Sequence, residues 1–196
     1  MKAMHIPLSS FQGKEISKTV CFVGLSNAGK TTLLHTLKGE FQVQTSATMG
    51  MNLETIRVGQ SYFLAFDLGG QEPFAETFWQ PFVSTSDGVL FVFDSADKGC
   101  VTEAGKWLDR VLGFLQENTL LMFLANKKDL EESMAIKEIV EIMNLSDILI
   151  RRPQYFRFFY ISGLYNDGVD EAWDWFTDRV MSIKGPRERR RREIQA

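Results

Sequence analysis

The feature that most constrains this chain is the run Gly24-Leu25-Ser26-Asn27-Ala28-Gly29-Lys30-Thr31. It matches G-x-x-x-x-G-K-[ST], the phosphate-cradling loop. It lies between an apolar, β-branched stretch, Lys18 to Val23, and a stretch of helical pattern, Gly29 to Lys38. Such a loop works only when a strand delivers the chain to it and a helix carries it away, so that backbone amides and the helix N-terminus converge on one anion. Within it, Gly24 and Gly29 let the amides of the Ser26-Asn27-Ala28 stretch turn inward around phosphate oxygens. Lys30 reaches the β and γ phosphates, Thr31 offers a hydroxyl to Mg²⁺, and Thr32 is placed to touch the α phosphate.

A strand-loop-helix start is one unit of an alternating fold, and the rest of the chain continues the alternation. Met51 to Val58 and Tyr62 to Asp67 read as strands joined through Gly59-Gln60-Ser61, a hairpin signal that makes this pair antiparallel. Then come a strand at Gly88 to Asp94, a helix at Thr102 to Glu117, a strand at Thr119 to Asn126 and a helix at Ser133 to Met143. A strand at Tyr155 to Ile161 and a helix at Asp167 to Ile183 complete the pattern, with 145–152 unassigned. Val89-Leu90-Phe91-Val92-Phe93 and Leu120-Leu121-Met122-Phe123-Leu124 are continuously apolar, as strands covered on both faces must be. The alternation predicts an α/β, doubly wound, mostly parallel six-stranded sheet with one antiparallel edge hairpin strand, and ligand at the carboxyl ends of the strands.

Composition supports this and removes other classes. At 196 residues and 44% hydrophobic, the chain can bury one substantial core, which makes a single domain the expectation. No apolar run approaches the roughly 18 to 20 residues of a membrane span, and the N-terminus lacks the apolar stretch of a secretory signal, so a cytoplasmic protein is expected. Cys21 and Cys100 then read as buried thiols in a reducing compartment. With only His5 and His35 besides, structural zinc and histidine catalysis lose their basis. The net charge of −3 conceals an asymmetry: 184–196 holds six basic and two acidic residues, which leaves −7 on 1–183. The body is therefore not a nucleic-acid surface, while the tail is expected to be a solvated, disordered extension that could be attracted to anionic lipid or RNA. The N-terminal Met4, Ile6, Leu8 and Phe11 are apolar but interrupted by Pro7, a weak amphipathic pattern.

Two more motifs sit at predicted strand ends. Asp67-Leu68-Gly69-Gly70-Gln71 ends the second hairpin strand. An Asp there can hold Mg²⁺ through water, Gly70 can offer an amide to the γ phosphate, and Gln71 can orient an attacking water. Asn126-Lys127-Lys128-Asp129 closes the strand Thr119 to Asn126. Its N-K-x-D spacing is that of guanine reading. The Asp129 carboxylate accepts from N1–H and the 2-amino group, which adenine cannot supply, while the Lys127 stem packs along the base and Asn126 braces neighbouring loops. After the last strand, Ser162-Gly163-Leu164 places the Gly163 amide where guanine O6 is expected.

Together these residues resemble a small GTPase of the Ras superfamily, and within it the Arf/Sar branch. The Arf-like details are Gly24-Leu25 before Asn27-Ala28-Gly29-Lys30-Thr31-Thr32-Leu33-Leu34, Thr48-x-Gly50-x-Asn52-x-Glu54-Thr55, and Asp67-Leu68-Gly69-Gly70-Gln71. The resemblance implies a P-loop G domain over 18–183, preceded by an extension at 1–17. It makes Thr48 the switch threonine that closes over Mg²⁺ and the γ phosphate, and Gln71 the hydrolytic glutamine, with Lys30 and Gly70 assisting. Thr31, Thr48 and Asp67 would hold the metal. It implies GTP and GDP as substrate and product, a monomer, and an exchange factor, an activating protein and effectors acting through the switch segments. A place in membrane traffic or a membrane-associated assembly, with peripheral membrane contact, belongs to the same implication.

The chain departs from the family where Lys2 replaces the glycine that myristoylation needs, where Ser26 replaces Asp, and where Ala47 precedes the switch threonine. The family's aromatic effector patch would here be Met51, Phe66 and Trp79. A GTP-binding interaction module with little turnover, similar to the signal-recognition-particle receptor β subunit, is the alternative, against which Gln71 argues. An ATP-dependent P-loop enzyme is disfavoured by Asn126 to Asp129.

Overall fold

The computed structural model describes residues 16–41, 43–151 and 155–183, so that 1–15 of the expected extension and the whole basic tail lie outside the described residues. The chain runs β1 (Ile16–Val23), α1 (Lys30–Leu37), β2 (Met51–Val58), β3 (Ser61–Leu68), α2 (Glu72–Val83), β4 (Gly88–Asp94) and α3 (Lys98–Phe114). It continues with β5 (Leu120–Asn126), α4 (Ile136–Ile142), α5 (Leu145–Arg151), β6 (Phe156–Tyr160) and α6 (Val169–Ser182). The six strands form one sheet in the order β2-β3-β1-β4-β5-β6. Only β2 and β3 pair antiparallel, closed by the two-residue turn Gly59-Gln60, so the antiparallel strand is at an edge as the hairpin signal requires.

Side-chain alternation divides the interior into two layers. Cys21, Val23, Phe91, Phe93 and Phe123 point to the face covered by α2, α3, α4 and α5. Val20, Phe22, Leu90, Val92, Met122 and Leu124 point to the other face, under α1 and α6. Because both faces are dry, the strands carry apolar residues at every position instead of every second one. Of the two thiols, Cys21 is buried, whereas Cys100 is partly exposed at the start of α3 and donates to the Asp97 carboxylate.

Two helices go beyond what the sequence pattern predicts. In α2, Pro73 and Pro81 argue against a helix, yet Pro73 stands in the first turn, where no intrahelical donor is needed. The stripe Ala75, Trp79 and Val83 buries one side of α2 and outweighs the bond that Pro81 cannot make. Helix α5 is separated from α4 by Asn144 in the left-handed region (φ 52), and Leu145 anchors it in the core. Helix α3 starts four residues earlier than the apolar pattern suggests, because the Asp97 side chain caps the amides of Gly99 and Cys100.

Candidate functional site

The phosphate loop leaves β1 at the carboxyl edge of the sheet, and its two glycines are fixed by space as well as by backbone angle. A Cβ on Gly24 would stand 1.9 Å from the Val92 carbonyl oxygen, and one on Gly29 2.3 Å from Asn126 Nδ2, with φ at +143 and +89. Gly29 also caps α1, so Lys30 and Thr31 open that helix. Lys30 is 6% exposed, and its Nζ donates to the carbonyls of Gly24 (2.8 Å) and Leu25 (2.9 Å). Burial pulls its pKa down to about 8, opposed by the Asp67 carboxylate.

The three residues expected to hold a metal meet in space. Thr31 Oγ1 donates to Asp67 Oδ2 at 2.7 Å and lies 3.0 Å from Thr48 Oγ1, which is itself 3.3 Å from Asp67 Oδ2. Asp67 is fully buried at the end of β3, and its Oδ1 has no hydrogen-bond partner among the described residues. Desolvation raises the pKa of this carboxyl, while Thr31, Lys30 and Thr48 hold it down. An orphaned carboxylate oxygen beside two hydroxyls is an all-oxygen donor set that fits a small hard cation such as Mg²⁺. Among the described residues, no three His, Cys, Asp or Glu side chains group as a metal set, so a soft-ligand centre is not built there.

The glycine pair after Asp67 fastens the neighbouring segments together. Gly69 N donates to Gly50 O (2.7 Å), and Gly70 O accepts from Ser26 N (3.2 Å). The Trp79 indole N–H donates to Gly69 O at 3.0 Å from inside the core. Trp79 is fully buried, which corrects its expected place in an exposed aromatic patch. Met51 and Phe66 remain partly exposed, with Phe66 against Phe82 and with Phe74 stacked on Phe78 nearby. Gln71 is exposed at the N-cap of α2, where its carbonyl accepts from Phe74 and Ala75.

These elements enclose a cleft of about 240 Å³. One wall is Ser26, Asn27 and Gly29 to Thr32, the other Thr45 to Thr48, with Gly70 and Lys127 at the ends. Gly24 and Ala28, in the phosphate loop, do not line the cleft. Thr45 and Ser46 belong to no motif that sequence reasoning finds, although the polar run Gln44 to Thr48 before β2 carries the signal; Thr45 Oγ1 lies 3.2 Å from Thr32 Oγ1.

At the other end, Asn126 braces two loops, donating from Nδ2 to Ala28 O (2.9 Å) and accepting from Gly163 N at Oδ1 (2.8 Å). The Gly163 amide, expected to meet guanine O6, here donates to Asn126. Asn126 takes it because its carboxamide is buried between the loops and needs both a donor and an acceptor. Lys127 adopts φ 68 and pairs with Asp94 Oδ2 at 2.6 Å, a partner that an acidic residue ending a strand could have signalled. Asp129 is exposed in the turn beyond. Ser162 is buried, its hydroxyl accepting from Tyr165 N, and Leu164 is exposed beside it.

The sequence pattern of the ADP-ribosylation factor family (Arf) matches residues 4–180. ADP-ribosylation factor-like protein 1 of Drosophila melanogaster is 33% identical over 183 residues, covering 90% of this chain and 98% of the fly protein. ADP-ribosylation factor-like protein 3 of Saccharomyces cerevisiae is also 33% identical, over 89% of this chain and 91% of its own. Among solved structures, the Arl6 BBS3 small GTPase of Trypanosoma brucei with bound GppNp superposes with a TM-score of 0.73 at 29% identity, covering 83% of this chain and 96% of that one. The mammalian SRP receptor structure gives 0.72 at 22% identity over 83% and 100%, a likeness of fold.

Proposed function

Because the chain belongs to the ADP-ribosylation factor family of small GTPases, we propose that it is a molecular switch that binds GTP at this cleft, hydrolyses it to GDP and phosphate, and reports the difference through 45–50 and 69–83. The observation that carries this reading is the meeting of Thr31, Thr48 and Asp67 beside Lys30, with one buried carboxylate oxygen left without a partner among the described residues.

Each residue then has a task set by its chemistry. The amides of Asn27 and Gly29 face the phosphates, since those of Ser26 and Ala28 donate to Gly70 O and Leu25 O, and the Lys30 ammonium, held by two carbonyls, is aimed at the β and γ oxygens. Mg²⁺, held by Thr31, Thr48 and Asp67, would neutralise charge on the β and γ phosphates. Gly70 directs its amide toward the γ phosphate, and Gln71, exposed at the start of α2, swings over to align the attacking water. Thr32 contacts the α phosphate. At the base, Asp129 accepts from N1–H and the 2-amino group, the Lys127 stem covers one face, and Ser162 to Leu164 form the rim. Asn126 and Gly163 fix that rim to the phosphate loop.

Loss of the γ phosphate releases Thr48 and Gly70, and with them the contacts Gly69–Gly50 and Ser26–Gly70, so the partner-facing surface changes. Arg57 stands on β2 with Nε on Gly59 O, and a cation for the transition state is supplied by an activating partner. Exchange factors and effectors act on the same segments, in membrane traffic or a membrane-associated assembly. Among the described residues, no helix is long and apolar enough to cross a membrane.

Displacement of labelled GDP by GTP, GDP and ATP, with and without Mg²⁺, tests the binding half. GTP and GDP should compete, ATP should not, and chelation should accelerate release. Equal competition by ATP would remove the assignment of Asn126 and Asp129. Single-turnover hydrolysis tests the chemistry, with Gln71→Leu expected to slow it at least tenfold. Tight GTP binding with no turnover in the unmodified chain would leave a binding module.

A further inference from the structure

Thr36, on the last turn of α1, has no part in the phosphate or base contacts proposed above, yet its side chain is buried at 6% exposure and its hydroxyl makes one of the shortest bonds near the site. It donates to Gly163 O at 2.6 Å, across 127 residues of sequence, with a longer contact of 3.1 Å to Thr32 O within its own helix. Gly163 is therefore gripped on both sides, its N–H by Asn126 and its C=O by Thr36. Since Asn126 also donates to Ala28 O in the phosphate loop, the bonds close a ring: α1, the loop after β6, the end of β5, the phosphate loop and back to α1. A Cβ on Gly163 would lie 3.2 Å from Asn126 Oδ1, so the ring is tightly packed where the peptide passes.

We propose that Thr36 is a positioning residue that locks the base-side loop to the phosphate loop and thereby sets the rate at which bound nucleotide leaves. The proposal rests on the reading of the cleft as a guanine-nucleotide site. Departure of the base requires the Ser162–Leu164 rim to separate from α1 and Asn126. With Thr36 in place, that separation breaks a buried hydrogen bond. Without its hydroxyl, the Gly163 carbonyl is buried unpaired in the closed form and regains water on opening, which favours opening. Lys30, Thr31 and Gly70 are untouched, so hydrolysis of bound GTP should not track the release rate.

The test uses the full chain loaded with GDP and Mg²⁺, comparing the unmodified protein with Thr36→Val and Thr36→Ser. Release of GDP is expected to be about tenfold faster in the Val variant. The Ser variant, which keeps the hydroxyl, should return within about twofold of the unmodified rate. Single-turnover GTP hydrolysis should stay within about twofold in all three. Release from Thr36→Val within twofold of the unmodified protein overturns the proposal. So does equal acceleration in Thr36→Ser, or a proportional fall in hydrolysis, either of which marks general loosening. If Thr36→Val is insoluble, Thr36→Ala is judged by the same criteria. Amide hydrogen exchange at Gly163 gives a reading independent of nucleotide. It should quicken in Thr36→Val and not in Thr36→Ser, and no change there overturns the proposal. Failure of the unmodified chain to retain GDP would remove the nucleotide reading, while the exchange result would still decide whether Thr36 locks the loop.

Discussion

Replacing Gly70 by alanine tests whether the docked switch is the hydrolytic arrangement. The added Cβ would stand 2.3 Å from Leu25 C, 2.4 Å from Gly24 O and 2.4 Å from Ser26 N, where ordinary contact begins at 3.4 Å. The shortfall is about 1 Å against three backbone atoms at once, and no side chain can rotate to relieve it. The segment carrying Gly70 must therefore back away from the phosphate loop by a similar distance. That motion breaks the 3.2 Å bond from Ser26 N to Gly70 O and strains the adjoining Gly69–Gly50 (2.7 Å) and Trp79–Gly69 (3.0 Å) bonds. Losing one and weakening two costs the docked state roughly 2–3 kcal/mol, a fall of about thirty- to a hundred-and-sixtyfold in its population. Single-turnover GTP hydrolysis should fall by that factor. GDP release should change less than about threefold, because the phosphate loop and the base loops keep their contacts. Hydrolysis by Gly70→Ala within about threefold of the unmodified chain would refute the reasoning.

Three further residues carry testable consequences. Lys30, lowered from 10.5 to about 8 by burial, makes the folded empty chain bind fewer protons than the unfolded one between those values. The stability difference between the unmodified chain and Lys30→Met, measured by urea unfolding, should therefore shift in favour of the unmodified chain as pH climbs from about 8 toward 10.5, a comparison in which the opposing contributions of the raised Cys21 and Cys100 thiols cancel. Binding of phosphate needs the ammonium, so GDP affinity should fall above about pH 8 by up to tenfold per pH unit, a trend that titrations at pH 7, 8 and 9 would reveal. Trp79→Phe keeps an aromatic ring in the core but leaves the Gly69 carbonyl without its donor. It should lower stability by about 1–2 kcal/mol in urea denaturation and slow hydrolysis more than it speeds GDP release. Asp94→Ala removes the 2.6 Å partner of Lys127 and the acceptor for Ala96 N, and GDP release should quicken severalfold; an unchanged rate would show that Asp94 does not position Lys127.

The strands and the principal motifs were legible in the chain because local rules write them. Period-two burial on both faces demands the unbroken runs at β4 and β5, Gly59-Gln60 demands a tight hairpin, and the Gly24–Thr31 spacing demands a strand before it and a helix after. Helices α2 and α5 were not legible, since Pro73, Pro81 and Asn144 speak locally against helix and only packing of Trp79 and Leu145 on the sheet overrides them. Sequence order likewise named Thr31, Thr48 and Asp67 one by one. Their convergence within 3.3 Å, and the isolation of one Asp67 oxygen, arise from the pairing of β1 with β3 and the docking of 48–50 against Gly69. The same holds for the bonds that turn the Gly163 amide onto Asn126, seat Lys127 on Asp94 and tie Thr36 to Gly163. The chain by itself determined which chemical groups are present and at which strand ends they stand, because spacing and turn geometry act over a few residues. Which groups share a hydrogen bond across distant stretches of chain, as Thr36 and Gly163 do over 127 residues, was decided only when the sheet brought its carboxyl edge together, because burial leaves each polar atom there to find its partner in space.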